Sequence, residues 1–131
     1  MIGNEGIEFD AVYCSPLYRA KQACRIICSR TELATKIVCE DLLKERCYGE
    51  YDGFSRREFD AVENNERRLN NNIRKHVPKN GESLEDVTTR AMAFLRGVIS
   101  KAKPKQKREQ ETNFMIVGHP VWIQQMMNGL N

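Results

Sequence analysis

The chain has 131 residues and a formal net charge of +3, with 40% hydrophobic and 30% charged residues. A chain of this length can bury one hydrophobic core, so we expect a single domain over residues 1–131. No apolar run approaches the roughly 18 residues of a membrane span, and the first residues lack the pattern of a signal peptide. The sequence alone therefore predicts a cytoplasmic protein with no membrane partner.

Segments typical of strands and of helices alternate along the chain. "FDAVYCS" (9–15) predicts a first strand, and Ser15 as N-cap with Pro16 in the first helical position predicts a helix over 16–30. The apolar spacing of this helix predicts a buried stripe of Leu17, Ala20, Ala23, Cys24 and Ile27. "TKIVCEDL" (35–42) predicts a second strand.

The middle of the chain is polar and then strongly amphipathic. We expect the region containing "NNERRLNNNIRK" (64–75) to be helical. A clearer helix is predicted over 81–102, where Ser83 is the N-cap and Asp86 occupies the capping-box position. Its apolar stripe comprises Leu84, Val87, Ala91, Phe94, Leu95 and Val98.

The last part of the chain combines a basic stretch with a strand and a helix. "KAKPKQKR" begins a basic loop over 101–112, which we expect to be exposed. "FMIVGH" (114–119) predicts a third strand, and Pro120 opens a last helix. This alternation of strands and helices predicts an α/β fold with a mainly parallel sheet.

The cysteines indicate neither disulfides nor a zinc site. There are five, an odd number, and no C-x-x-C pair occurs. Cys24 and Cys28 lie one helical turn apart, a spacing that favours packing in the core. We expect free thiols, no metal and no cofactor.

Two predicted strands end in residues capable of chemistry. Ser15 and His119 each close a strand and precede a helix, which is where open parallel sheets place their ligands. Helix N-termini attract anions, and Arg19 and His119 would add donors for a phosphate. Taken singly, Arg19 also fits a solvated helix residue, and His119 fits a capped strand end.

Four segments resemble, in order, the motif series of the histidine phosphatase superfamily, the phosphoglycerate-mutase-like fold. They are "FDAVYCSPLYRAKQAC", "LLKERCYGEYDG", "NGESLEDVTTRAMAFL" and "FMIVGHP". The second segment and the basic insertion are most similar to the fructose-2,6-bisphosphatase branch, which includes the glycolysis and apoptosis regulators. The resemblance implies a three-layer α/β fold and a phosphoric monoester hydrolase that acts on a phosphorylated small molecule such as a sugar phosphate.

The resemblance also implies roles for individual residues. Arg19 would grip the phosphoryl oxygens, with Ser15 as a second substrate-binding residue. Glu45 would protonate the leaving oxygen, and His119 would stabilise the phosphoryl group during transfer, as this chemistry requires. Without the motif, the residues alone favour a surface salt bridge from Glu45 to a neighbouring cation.

The family nucleophile is a histidine in an Arg-His-Gly motif, which these 131 residues do not contain. We therefore expect a partial domain, truncated at both ends, that lacks the first strand of the family and its last sheet elements. His76 is expected to be an exposed loop histidine and not the nucleophile. Pro120 stands where the family commonly has glycine, so one backbone N–H donor to the phosphate is expected to be missing.

Three functions remain open on the sequence alone. The first is a phosphatase-family domain of the fructose-2,6-bisphosphatase type, weak or inactive as given. The second is a non-catalytic family member that binds a phospho-ligand or a protein partner. The third is a nucleic-acid-associated domain that uses the lysines of the basic loop. We disfavour nucleic acid as a partner, because no aromatic residues are interleaved with those charges.

Overall fold

A computed structural model describes residues 8–69, 72–102 and 111–131 of the chain. Within these ranges the strands are β1 (Ala11–Cys14), β2 (Ile37–Cys39) and β3 (Phe114–Val117). The α-helices are α1 (Tyr18–Cys28), α2 (Arg56–Leu69), α3 (Leu84–Lys101) and α4 (Pro120–Leu130). Short 3-10 turns form at Glu32–Thr35, Asp41–Leu43, Gly49–Tyr51 and Ile73–Lys75. Most of the predicted basic loop lies outside the described residues.

The three strands form one parallel sheet in the order β2-β1-β3. In the centre of the sheet, Tyr13 is in register with Val38 on one side and with Ile116 on the other. The predicted parallel sheet is therefore confirmed. Because the strands are parallel, all three carboxyl ends lie at one edge, which we call the carboxyl edge of the sheet.

Helices cover the sheet on both faces, because successive side chains of a strand point to opposite sides. On one face, α1 buries a core of Val12, Cys14, Ala20, Cys24 and Cys28. On the other face, α3 and α4 bury Leu43, Val87, Ala91, Phe94, Val98 and Trp122, with Tyr13, Phe114 and Ile116 packed against them. This is the expected three-layer α/β fold.

The start of α3 follows the prediction closely. The Ser83 hydroxyl oxygen accepts a hydrogen bond from the backbone N–H of Asp86, and the Asp86 carboxylate accepts one from the N–H of Ser83. The two contacts are 3.0 and 2.9 Å long. This capping box pairs two N–H groups that the first helical turn would otherwise leave without a partner.

The start of α1 differs from the prediction. The helix begins at Tyr18 with Leu17 as its N-cap, so Ser15 does not cap it and Pro16 is not its first residue. The Ser15 hydroxyl is engaged elsewhere, as described below. The buried stripe is Ala20, Cys24 and Cys28, and the expected Leu17, Ala23 and Ile27 are exposed. The side of α1 that packs on the sheet therefore carries residues spaced four positions apart.

The prediction of an exposed His76 is wrong. Only 17% of its side chain is exposed, and its Nδ1 lies 3.2 Å from the Glu66 carboxylate on α2. The polar region before it is helical up to Leu69 and then forms the turn at Ile73–Lys75. His76 thus helps to hold this turn against α2 and lies in no strand-end motif.

Candidate active site

Ser15 and His119 meet at the carboxyl edge of the sheet although 104 positions separate them. Ser15 follows β1 and His119 follows the neighbouring β3, so the parallel pairing of the two strands brings their ends together. The His119 Nε2 lies 2.8 Å from the Ser15 Oγ, and Ser15 is fully buried. Two further hydrogen bonds fix Ser15. Its backbone N–H donates to the carbonyl oxygen of Val117, and its hydroxyl oxygen accepts from the backbone N–H of Leu17.

Glu45 reaches the same edge from the segment that follows β2. Its carboxylate accepts hydrogen bonds from the backbone N–H groups of Val121 and Trp122, both at 3.1 Å. It also accepts one from the N–H of Arg46 at 2.9 Å. Val121 and Trp122 belong to the first turn of α4, so Glu45 caps this helix and places a negative charge at its positive end. The surface salt bridge favoured by the residues alone is not its arrangement.

The electrostatics of His119 link the predicted site residues. Burial lowers the pKa of His119, the nearby Glu45 carboxylate opposes this, and the charges of Arg19 and Arg90 lower it further. With its pKa below the ordinary value of about 6.5, the imidazole is neutral at pH 7. Arg19 itself is exposed on the first turn of α1. The structure therefore brings Ser15, Glu45 and His119 together and places the charge of Arg19 within electrostatic reach.

A second group of residues around Glu45 was not predicted from the sequence. Arg90 on α3 hydrogen-bonds to three backbone carbonyl groups in the Glu45 segment and to Glu82. The sequence feature that could have indicated this role is the position of Arg90 at the border of the apolar stripe of α3, next to Ala91 and three residues after Val87. A charged residue at such a border often reaches a polar partner across the helix interface.

A cleft of about 580 Å³ adjoins the Glu45 segment, although Ser15, Arg19, Glu45 and His119 do not line it. Arg46 and Val121, whose N–H groups bond to Glu45, both line it. Its other walls combine the aromatic side chains Tyr48, Tyr51, Phe54 and Phe59 with the arginines Arg56, Arg67 and Arg74. The Arg46 guanidinium lies 5.1 Å from the Tyr48 ring centroid and 3.7 Å from the Glu63 carboxylate. Such a cleft can bind an anion that also carries an apolar or ring portion.

Neither metal ligands nor a membrane span is found in the part of the chain that the structure describes. No three His, Cys, Asp or Glu side chains there lie together as metal ligands would. No helix there is both long enough and apolar enough to cross a membrane.

Comparison with known proteins identifies the family. The model of the histidine phosphatase superfamily (branch 1) matches residues 4–131. The chain belongs to this superfamily. The four-motif resemblance is thereby confirmed at the level of the superfamily.

Two relatives within this superfamily are similar to the chain in sequence. Fructose-2,6-bisphosphatase TIGAR B of Danio rerio is 31% identical over 97 residues, covering 72% of this chain and 37% of that protein. Phosphoglycerate mutase of Schizosaccharomyces pombe is 30% identical over 101 residues, covering 73% of this chain and 46% of that protein. The matched stretch thus spans less than half the length of either relative.

Solved structures share the fold. Mycobacterial glucosyl-3-phosphoglycerate phosphatase in complex with inorganic phosphate matches with a TM-score of 0.75 at 22% identity, over 94% of this chain and 59% of that one. The alpha-ribazole phosphatase of Shigella flexneri matches with a TM-score of 0.64 at 21% identity, over 88% and 54%. At these identities the likeness shows the phosphatase-type α/β fold.

Proposed function

We propose that this chain carries the phosphate-binding and proton-donating side of a phosphoric monoester hydrolase site. The observation that carries the proposal is the contact between Ser15 and His119, with Glu45 beside it, at the carboxyl edge of a parallel sheet. Three separate segments supply these residues, and ligands of open parallel sheets bind at this edge. Membership of the histidine phosphatase superfamily supports the same chemistry.

Each residue has a role that its surroundings permit. Arg19 is exposed and free to close on the phosphoryl oxygens, where a planar guanidinium binds two of them at once. A bound phosphate dianion would favour the charged form of His119, which would then donate to the phosphoryl group. The Glu45 Oε2 accepts one N–H bond, which leaves a lone pair for the proton that it would give to the leaving oxygen.

The cleft beside Glu45 would take the remainder of the substrate. Its arginines outnumber its carboxylates by four to two, Arg46, Arg56, Arg67 and Arg74 against Asp52 and Glu63. This balance favours a substrate with a second anionic group next to the ester being cleaved. A sugar bisphosphate has that character, and the Danio rerio relative supports a fructose-2,6-bisphosphatase type.

The turnover of these 131 residues alone is proposed to be weak or absent. Of the two histidines, His76 lies between Lys75 and Val77, and His119 lies between Gly118 and Pro120. Neither stands in an Arg-His-Gly motif, and removal of a nucleophile typically costs several orders of magnitude in rate. Phosphate binding by Arg19 and His119 does not require the nucleophile.

Turnover and phosphoenzyme formation test this proposal together. We expect fructose 2,6-bisphosphate and p-nitrophenyl phosphate to be hydrolysed slowly or not at all. Inorganic phosphate should nevertheless shift the His119 NMR signals in the unmodified chain, and Arg19→Ala should need a higher phosphate concentration for the same shift. Absence of that shift would contradict the proposed phosphate site. A labelled phosphodonor, quenched in alkali, should leave no stoichiometric label on the protein.

The labelling experiment also assigns any unexpected nucleophile. Label that disappears in His76→Ala would make His76 the nucleophile, against its pairing with Glu66. Label that disappears only in His119→Ala would mean that His119 itself attacks phosphorus. Either result would overturn the assignment of roles made above.

One observation favours a second candidate, a non-catalytic member that binds a phospho-ligand. The Glu45 carboxylate accepts three backbone hydrogen bonds, a number typical of an anchoring residue. In this alternative, any background hydrolysis does not depend on Glu45, so Glu45→Gln would leave it unchanged while phosphate still binds. In the hydrolase, the same substitution removes the acid and lowers whatever turnover is measured.

A further inference from the structure

Arg90 makes more polar contacts than its place on α3 suggested. Only 18% of its side chain is exposed. Its guanidinium donates hydrogen bonds to the carbonyl oxygens of Leu42, Lys44 and Glu45, at 2.8, 2.7 and 3.3 Å. It also forms two bonds with the carboxylate of Glu82, at 2.9 and 3.0 Å.

The segment that Arg90 binds has little regular structure of its own. Residues 44–48 form neither helix nor strand. Backbone carbonyl groups in such a segment need partners from outside it. A guanidinium presents five N–H donors in one fixed plane, whereas the ammonium of a lysine carries three donors on a single nitrogen and cannot reproduce that arrangement. An arginine at position 90 is thus well suited to hold the shape of this segment.

Glu82 extends this support to the residues after Glu45. Its carboxylate accepts the N–H of Cys47, and its carbonyl oxygen accepts a hydrogen bond from the Arg46 side chain, both at 2.9 Å. Burial acts to raise the pKa of Glu82, but the hydrogen bonds from Arg90 and Cys47 and the charge of Arg90 lower it overall. The carboxylate is thus ionised at neutral pH and holds the guanidinium in place.

We infer that Arg90 is a positioning residue that holds Glu45 against the N-terminus of α4 and beside His119. The Glu45 backbone is bound by Arg90 and its side chain by Val121 and Trp122. Leu42, at the start of the same segment, accepts hydrogen bonds from both Arg90 and the Trp122 indole. That Glu45 acts as an acid there rests on the proposed function, whereas the placement of Glu45 by Arg90 does not.

The pKa of His119 measures where the Glu45 carboxylate lies. Glu45 raises that pKa, and the charges of Arg19 and Arg90 lower it. Arg90→Lys keeps the positive charge, but three donors on one nitrogen cannot replace the five bonds that Arg90 forms with three carbonyl groups and the Glu82 carboxylate. If Arg90 positions Glu45, the carboxylate moves away in this variant and the pKa of His119 falls. If Arg90 acts only through its charge, the pKa stays at its original value.

The experiment is an NMR titration of the two histidines in the full chain, with His119 assigned by its loss in His119→Gln. Glu45→Gln sets the full effect of losing the carboxylate charge. We expect Arg90→Lys to show more than half of that fall, and the matched control Arg96→Lys, exposed on the same helix, to show none. A His119 pKa in Arg90→Lys equal to that of the unmodified chain would overturn the inference.

A second variant covers the case in which Arg90→Lys does not fold. Arg90→Gln removes the charge, so an effect of charge alone raises the pKa of His119. Loss of positioning also removes the effect of Glu45, which is larger than that of Arg90, so the pKa then falls. The two explanations thus predict opposite signs. No part of this test uses turnover or phosphate, so failed phosphate binding with a lowered His119 pKa would reject the proposed function and keep the positioning role.

Discussion

The two strand-to-helix junctions at the carboxyl edge of the sheet are built differently. After β3, the chain enters α4 within two residues, and Glu45 occupies the first N–H groups of that helix. After β1, the chain takes three residues to reach α1, whose N-cap Leu17 makes no side-chain capping bond. Tyr18 and Arg19 at this second junction are exposed. An incoming phosphate therefore meets an occupied helix end at α4 and an accessible one at α1.

This contrast changes the expected way of binding phosphate. The sequence suggested that two helix N-termini would share the anion. With Glu45 in place, an internal carboxylate already occupies the end of α4, so under the proposed function Arg19 at the start of α1 would carry most of the phosphate recognition. Three substitutions and one pH titration test this difference between the two junctions.

The largest expected effect is on phosphate affinity in Arg19→Ala. Hydrogen bonds to charged groups contribute roughly 1.5–3 kcal/mol, so we expect affinity to fall about ten- to a hundredfold. Calorimetry or the phosphate-dependent NMR shift of His119 measures it. Arg25→Ala, exposed near the end of the same helix, is the matched control. Equal losses in both variants would reduce the role of Arg19 to general charge attraction.

Glu45→Ala should cost the fold about 1–2 kcal/mol, the typical effect of removing a helix cap. The N–H groups of Val121 and Trp122 lose their partner in this variant. Urea unfolding, followed by the fluorescence of the single tryptophan, measures the loss. Glu50→Ala, an exposed carboxylate in the same segment, should be near neutral. A stable Glu45→Ala would show that α4 does not need this cap.

Ser15→Ala should destabilise the chain by about 1 kcal/mol, the usual net value of a lost hydrogen bond. It removes the contacts of the hydroxyl with His119 and with the Leu17 N–H. The ¹⁵N shifts of the His119 ring should change as Nε2 loses its partner, whereas Ser29→Ala, at the far end of α1, leaves them as they were. Unchanged ring shifts in Ser15→Ala would argue against the contact.

The smallest expected effect is a dependence of stability on pH. The folded chain lowers the pKa of His119. The unfolded chain therefore binds a proton more readily, and stability falls as the pH drops below about 6.5. The decline levels off once the pH passes the folded pKa. His119→Gln should lack this part of the decline in urea titrations between pH 8 and 5; an identical decline in both would assign it to other groups.

Much of the fold could be predicted because periodicity and capping are local signals. The strand pattern of "FMIVGH" and the Ser83–Asp86 capping box both appear in the structure as expected. The start of α1 could not be predicted in the same way. Ser15 and Pro16 have the right identities for a helix start, but a contact with His119, 104 positions away, claims the Ser15 hydroxyl. Local propensity gave way to a tertiary hydrogen bond.

The candidate site was predictable only where a motif marks it. Apart from the family motif, nothing in the sequence near Glu45 indicates a function, and its partners Val121 and Trp122 lie 76 and 77 positions further along the chain. His76 resembled a loop residue because nothing near it in sequence indicates its pairing with Glu66 across the end of α2. Arg90 was not predicted because its partners beyond Glu82 are backbone carbonyl groups, which every residue has. A hydrogen bond to a backbone group does not depend on the type of residue that supplies it, so it cannot be predicted from the sequence.

The five cysteines fall into an exposed and a buried group, which we expect to react with alkylating reagents at different rates. Cys39 and Cys47 are exposed, whereas Cys14, Cys24 and Cys28 are buried between α1 and the sheet. Burial, reinforced by the neighbouring Cys14 thiol, raises the pKa of Cys24 to about 11. Only a thiolate attacks alkylating reagents, so the buried thiols react when α1 lifts from the sheet and not before. We expect these thiols to be alkylated slowly, so their alkylation rate would report how often the layer that carries Arg19 opens, with no label built into the chain.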